Sequence, residues 1–288
     1  MRKSVYLIIL LGVISTIMMA FYERETKIES TWIWDTQRFI DNKEPYFQFL
    51  EQNNITKLYV QIDPGIAYEK YESMIGEATA RGMVVFAIDG AKDWVYSTEE
   101  LRYKLGWLHT YHLQVGEASQ FSGLLVDVEP YLLPEWEKEQ LTLLTGYVKL
   151  IDEAADFTRK HNLPFEVAIP FWFHELELRG QRFLDVLGSS IDTFVIMSYR
   201  TDVEGENGLF ALVSPYFEND IEVDIVLTVE TERLQGEEKY ISFSEKSEQE
   251  MFRFINQLNK HYRDDNRFQG VSVHHVDSWM DLSLKNEE

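Results

Sequence analysis

The sequence predicts an α/β protein folded as a (β/α)8 TIM barrel. Three observations carry the prediction. Eight short apolar runs rich in Val, Ile, Leu and aromatic residues recur along residues 27–288. Longer stretches of helical periodicity separate them. The joints between the two are short, with no Gly/Ser linker, no low-complexity tract and no second composition regime. A chain of 288 residues that is 45% hydrophobic is large enough for one such barrel.

The runs are Trp32–Asp35, Lys57–Asp63, Met83–Asp89, Gly123–Glu129, Phe165–Trp172, Thr193–Tyr199, Asp224–Glu230 and Gly270–His275. Their apolar character is continuous rather than alternating, as parallel strands covered on both faces require. Tyr68–Ala80 has apolar residues at helical spacing and stops at Arg81-Gly82. Ser97 with Glu100 three residues on reads as a capped helix start. Pro134 opens a helix that runs to about Lys160. Residues 244–262 form another, with Met251, Phe254, Ile255 and Leu258 on one face. The competing architecture is a doubly wound open sheet. It wants a glycine-rich turn after the first strand, and Trp34-Asp35-Thr36-Gln37-Arg38 has none. That absence also argues against a nucleotide, and no cofactor is expected.

Residues 1–26 read as a signal peptide or membrane anchor. Arg2 and Lys3 precede an apolar run from Val5 to Phe21, followed by Glu23-Arg24-Glu25. Ala20 suits a cleavage point. Met18 stands where a second small residue is wanted, which weighs toward an uncleaved anchor. Either outcome places the bulk of the chain outside the cytoplasm. The formal net charge of −22 repels nucleic acid and anionic headgroups, so membrane contact is expected through this segment alone. Neutral sugars remain. With no cysteine, the chain has no disulfide framework and no thiolate nucleophile.

In a barrel of this kind the carboxyl ends of the strands share one mouth, where the chemistry sits. Those ends carry Trp34 and Asp35, Gln61 and Asp63, Asp89, Asp127 and Glu129, Trp172 and His174, Tyr199 and Arg200, Glu230, then His275, Asp277 and Trp279. Carboxylates among tryptophan and tyrosine suit a sugar, because aromatic faces cover ring C–H groups and carboxylates bind hydroxyls or move protons. Asp127 and Glu129 are two apart on one strand and therefore share a face. Glycosidic cleavage needs a proton donor and a group that stabilises positive charge at the anomeric carbon. Glu129 is the expected donor, with a pKa raised by Asp127. The second role falls either to Asp127, orienting a substrate amide, or to Glu230, attacking directly. Of Trp32 and Trp34, one is expected against the helices and the other in the mouth.

Gly123-Leu-Leu-Val-Asp127-Val-Glu129 resembles the fourth-strand motif of chitinase-like, family-eighteen glycoside hydrolases, which ends Asp-x-Glu. Ser122 and Leu125 stand where that motif has further acids. Met197-Ser198-Tyr199 resembles the family's sixth-strand Met-x-Tyr, with Arg200 in place of the usual Asp or Asn, and Trp279 resembles its eighth-strand tryptophan. The resemblance implies Glu129 as acid, Asp127 orienting an N-acetyl group, Tyr199 bonding that acetamide, and Trp279 under the sugar. Arg200 is also placed to pair with Glu129 or Asp127. Glu129-Pro130 with Glu230 is similar to retaining barrel hydrolases, although Val128 stands where their asparagine would. The blocks Met-Ser-Tyr-Arg, Val-Glu-Thr-Glu and His-His-Val-Asp-Ser-Trp resemble a group of bacterial exported barrel proteins.

The expectation is a glycoside-hydrolase-like protein acting on an extracytoplasmic glycan, N-acetylated or of the cell wall. The alternative, favoured by Ser122, Leu125 and Arg200, is an inactive barrel that binds glycan or a wall partner. An amide hydrolase using the same carboxylates is a third reading. His275 and Asp277 have the spacing of ligands on one strand, but no His-x-His or His-Glu-x-x-His accompanies them, and no metal is expected.

Overall fold

A computed structural model describes residues 28–234 and 239–285. The apolar N-terminal run and its signal or anchor reading lie outside the described residues.

Eight parallel strands close into a barrel: β1 (Ile28–Ile33), β2 (Lys57–Gln61), β3 (Val84–Asp89), β4 (Gly123–Val126), β5 (Phe165–Pro170), β6 (Thr193–Met197), β7 (Asp224–Glu230) and β8 (Phe268–His274). Each pairs with its sequence neighbours, and β8 returns to β1 through Ile28 opposite Val271 and Thr31 opposite Val273. Closure leaves no strand edge open. The principal helices that follow the strands are α1 (Lys43–Gln52), α2 (Tyr68–Ala80), α3 (Glu99–Gln114), α4 (Trp136–His161), α5 (Phe183–Gly188), α6 (Leu209–Phe217), α7 (Glu248–Tyr262) and α8 (Val276–Leu284). A short helix, Thr36–Asp41, precedes α1, and a small antiparallel pair, Glu177–Leu178 with Gln181–Arg182, comes after β5.

The helix boundaries follow from local chemistry. Helix α2 stops before Gly82, whose φ of +84° suits glycine. Helix α7 begins with a reciprocal capping box between Ser247 and Glu250, later than the expected start at residue 244, because Phe243–Glu245 forms a separate 3-10 turn. Ser97 does not cap α3. Thr98 holds the cap position, and the Ser97 hydroxyl accepts from the Glu99 amide at 3.3 Å.

The strands bury both faces, so two cores result. Outward residues such as Leu58, Val60, Leu124, Val167, Ile196 and Leu227 pack against the helices. Inward residues Trp32, Tyr59, Phe86, Ile88, Leu125, Ala168, Val195 and Val226 fill the barrel, with Trp34 packed on top. Trp32 and Trp34 therefore both face inward, as residues two apart on a strand must. The expectation that one packs against the helices fails. Low in the barrel, buried Glu166 takes Lys57 Nζ at 2.7 Å and the Tyr59 hydroxyl at 2.6 Å. Three groups thus satisfy one another where water is excluded.

Candidate active site

The inward register decides what reaches the mouth. On β4 it runs Leu125, Asp127, Glu129. On β6 it runs Val195, Met197, Tyr199. On β7 it ends at Glu230 and on β8 at His274.

Asp127 and Glu129 lie just past β4, half-buried. Burial and the Glu129 carboxylate push the Asp127 carboxyl up to about 7, against a smaller opposing pull from His274. One oxygen of Asp127 is shielded from solvent and has no hydrogen-bond partner among the described residues. The raised carboxyl of the pair is thus Asp127, where the sequence had pointed to Glu129. The Tyr131 hydroxyl donates to Glu129 Oε1. Tyr131 packs edge-on against Trp172 at 5.2 Å between ring centres, and Trp136 backs Trp172 at 6.1 Å. Buried Tyr147 lies close enough for both carboxylates to raise its pKa.

Across the mouth a hydrogen-bonded chain links β1, β8 and β7. The Trp34 indole Nε1–H donates to His274 Nε2 at 2.8 Å, and His274 Nδ1 meets Glu230 Oε2 at 2.8 Å. An indole only donates, so Nε2 must be the acceptor and Nδ1 carries the proton. Burial disfavours a charged His274, and Glu230 with Asp127 and Glu232 more than offsets this, so its pKa is raised. The Trp34 donor opposes protonation, because a second ring proton would face N–H with N–H. Glu230 Oε1 accepts from the amides of Thr231 at 2.8 Å and Glu232 at 2.7 Å, so both its oxygens are engaged. Tyr199 packs on His274 at 6.1 Å, and Glu230, Asp127 and Glu129 all raise its pKa after burial has done so.

The structure brings together Trp34, Asp127, Glu129, Trp172, Tyr199 and Glu230, and adds His274 and Tyr131, which the sequence reading did not select. Gln61 ends β2 on the inward register, half-buried, with its carbonyl taking the Thr36 hydroxyl at 2.7 Å. Asp63 is exposed and accepts from the Gly65 amide at 2.8 Å, His174 Nδ1 meets the Phe171 carbonyl at 2.8 Å, and six further expected residues sit elsewhere or act otherwise. Asp89 follows outward-facing Ala87 and pairs with Lys104 of α3 at 2.5 Å. Asp35 is exposed and caps the Thr36–Asp41 helix by accepting from the Arg38 amide at 2.9 Å. Asp277 lies in α8, accepts from the Tyr46 hydroxyl and pairs with Arg38 at 3.2 Å. His275 is the N-cap of α8 and lies 3.4 Å from Glu232 and 3.8 Å from Asp277. Trp279 is fully buried in the helical layer, 4.9 Å from Phe49 and donating to Glu248 at 2.9 Å, so it does not lie under a sugar in the mouth. Arg200 pairs with neither Glu129 nor Asp127. It bonds the Tyr199 carbonyl at 2.7 Å and lies over the Phe171 ring at 4.7 Å. Among the described residues no cluster of three or more His, Cys, Asp or Glu side chains is arranged to hold a metal ion.

No family model matches the chain, and no curated protein does. Solved structures do match in fold. A class V chitinase mutant from Cycas revoluta, in complex with (GlcNAc)3, superposes with a TM-score of 0.58 at 12% identity, covering 90% of this chain and 98% of that one. A family-eighteen chitinase from the same plant, in complex with allosamidin, gives 0.56 at 13%, covering 88% and 96%. A β-1,4-mannanase from the common sea hare Aplysia kurodai gives 0.58 at 12%, covering 90% of each chain. The protein shares the (β/α)8 barrel fold of these structures.

Proposed function

We propose that the barrel mouth binds and hydrolyses an extracytoplasmic glycan, with Glu129 as the general acid and Asp127 as its partner. One observation carries this reading: a carboxylate pair stands on the inward register of β4, and burial and mutual repulsion raise Asp127 to about 7. Near neutral pH such a pair holds a proton in place, which is what protonation of a glycosidic oxygen requires. Glu129 lies one inward position further out than Asp127, beside Tyr131. Trp172 and Tyr131 on one side, and Trp34 and Tyr199 on the other, offer ring faces to sugar C–H groups.

For the positive charge at the anomeric carbon, the acetamide route asks less of this site than direct attack by Glu230. A covalent bond to Glu230 would break its contact with His274 or with the backbone amides of Thr231 and Glu232. Acetamide attack leaves those bonds intact: Glu129 gives the pair's proton to the glycosidic oxygen, and the Asp127 carboxylate and Tyr199 hold the substrate N-acetyl group. Glu230 then acts as a positioning residue that fixes the ring of His274. An N-acetylated polysaccharide is the substrate class that fits, and the apolar run Val5–Phe21 supports action outside the cytoplasm.

A second reading has its own observation. Directly beneath Asp127 on the same face is Leu125, fully buried, so no acid lies there to share the Asp127 proton. That favours an inactive barrel that binds glycan. Reducing-end release from N-acetylglucosamine oligomers and from insoluble wall polymer separates the two. Glu129→Gln is expected to lower turnover by about 10²- to 10⁴-fold while keeping the fold. Unchanged turnover in that variant removes Glu129 as the acid. Oligomer binding by the wild type without any bond cleavage supports the binding-only reading.

A further inference from the structure

Arg200 is a cation that the proposed chemistry does not use. It follows Tyr199 directly, half-buried, and lines a cavity of about 430 Å³ with Asp202, Glu204, Asn207 and Tyr240. Its guanidinium lies between the rings of Phe171 at 4.7 Å and Tyr240 at 5.3 Å. Among the described residues one of its five N–H donors has an acceptor, the Tyr199 carbonyl at 2.7 Å. Its Nε is shielded from solvent and has no acceptor among the described residues.

The chain carries 49 acidic residues against 27 basic ones. Other half-buried basic side chains found carboxylates: Arg81 has Glu44, Glu51 and Glu77, Lys104 has Asp89, and Lys57 has Glu166. Arg200 has none among the described residues. Burial works against its charge, and Tyr240 supplies the opposing pull. A planar guanidinium set against two rings keeps N–H edges for ligands, and those edges match a carboxylate. Asp202 and Glu204 on the same cavity are exposed, so solvent screens their charge. Together with the net charge of −22 they weigh against a densely charged polyanion and leave room for an isolated carboxylate.

We propose that Arg200 binds a carboxylate carried by the glycan, so that the substrate is a mostly neutral polymer bearing an acidic sugar next to the one at Tyr199. This rests on the reading of the mouth as a glycan site. Two sugar types supply that chemistry, a uronate and a sugar carrying a lactyl ether.

The test is calorimetric binding to three oligosaccharides of equal length: one of N-acetylglucosamine alone, one with a uronate residue, and one with a lactyl-ether residue. Glu129→Gln protein is used, so that the ligands survive. It is expected to bind one acidic oligomer about tenfold or more tightly than the neutral one, and which acidic oligomer it prefers identifies the source. Adding Arg200→Gln is expected to bring the ratio of acidic to neutral affinity to about one. Arg200→Lys keeps the charge without the planar fork, and the ratio is expected to fall between the two. Equal affinities before the Arg200 change, or a ratio that Arg200→Gln leaves intact, overturn the proposal and leave the mouth as a neutral-glycan site. Failure to bind any of the three removes the glycan reading itself.

Discussion

Asp127 illustrates how one strand position sets both chemistry and stability. Its carboxyl titrates near 3.8 in the unfolded chain and near 7 when folded, because folding buries it beside Glu129. Between those values the folded form binds more protons than the unfolded one. Stability is therefore greatest below about pH 4 as far as this group is concerned, and it falls as pH rises through 7. Asp127→Asn removes the titration. The variant is expected to melt with the wild type near pH 4 and above it near pH 8, by the equivalent of roughly 1–3 kcal/mol. Melting curves at a few pH values check this, and a gap that stays constant with pH would show that Asp127 titrates normally. Whatever sugar affinity the variant keeps measures binding apart from proton handling. On the opposite wall Trp34 engages His274 Nε2 and Glu230 engages Nδ1, so both ring nitrogens are committed. That chain joins residues some 240 positions apart, and no local pattern announces it.

At the scale of elements, the question is which way each strand end points. Continuous apolar strands make the number and order of all eight legible, while the limits of β1 are missed: it runs Ile28–Ile33 where Trp32–Asp35 was expected. The same continuity hides direction: when helices cover one face and the barrel core the other, both faces are apolar and period two disappears. Position alone assigns Asp89 to the mouth, yet Phe86 and Ile88 face inward, which turns Asp89 out toward α3. His275 and Trp279 are misplaced by sequence for a related reason. Strand β8 stops at His274, and the chain passes at once into the cap and body of α8. Trp136, set among the acids of Glu135-Trp136-Glu137-Lys138-Glu139, has the look of a solvated face but is buried behind Trp172. By contrast Asp127, Glu129 and Tyr199 are legible, because adjoining motifs fix their phase. The end of β3 also passes close to β4: a Cβ on Gly90 would lie 1.7 Å from the Asp127 carbonyl oxygen. The outward pair at Asp89 anchors this junction from the helix side, with Lys104 also donating to the Ile62 carbonyl at 2.8 Å. Lys104→Met leaves Asp89 buried without its cation and is expected to cost about 3–5 kcal/mol in denaturant unfolding. A loss below about 1 kcal/mol would mean that water reaches Asp89 and replaces the lysine.

Over the whole molecule the excess of acid is a term in its own right. A formal charge of −22 on one barrel stores repulsion that no single contact reports. Salt acts on two opposing quantities. It weakens exposed ion pairs such as Arg102–Glu153 and Arg182–Asp185. It also screens the surplus carboxylates from one another, with a screening length of about 10 Å at 0.1 M. The interior pairs Lys57–Glu166 and Lys104–Asp89 are shielded from solvent and change little. With far more unmatched acids than exposed pairs, repulsion is the larger quantity. The melting temperature is therefore expected to rise between about 20 mM and about 300 mM sodium chloride at neutral pH, and to rise less near pH 4, where carboxylates are partly protonated. A neutral N-acetylglucosamine oligomer carries no charge for salt to screen, so its affinity is expected to stay level over the same range. A melting temperature that falls with salt would show that the matched pairs, and not the surplus acids, dominate the surface.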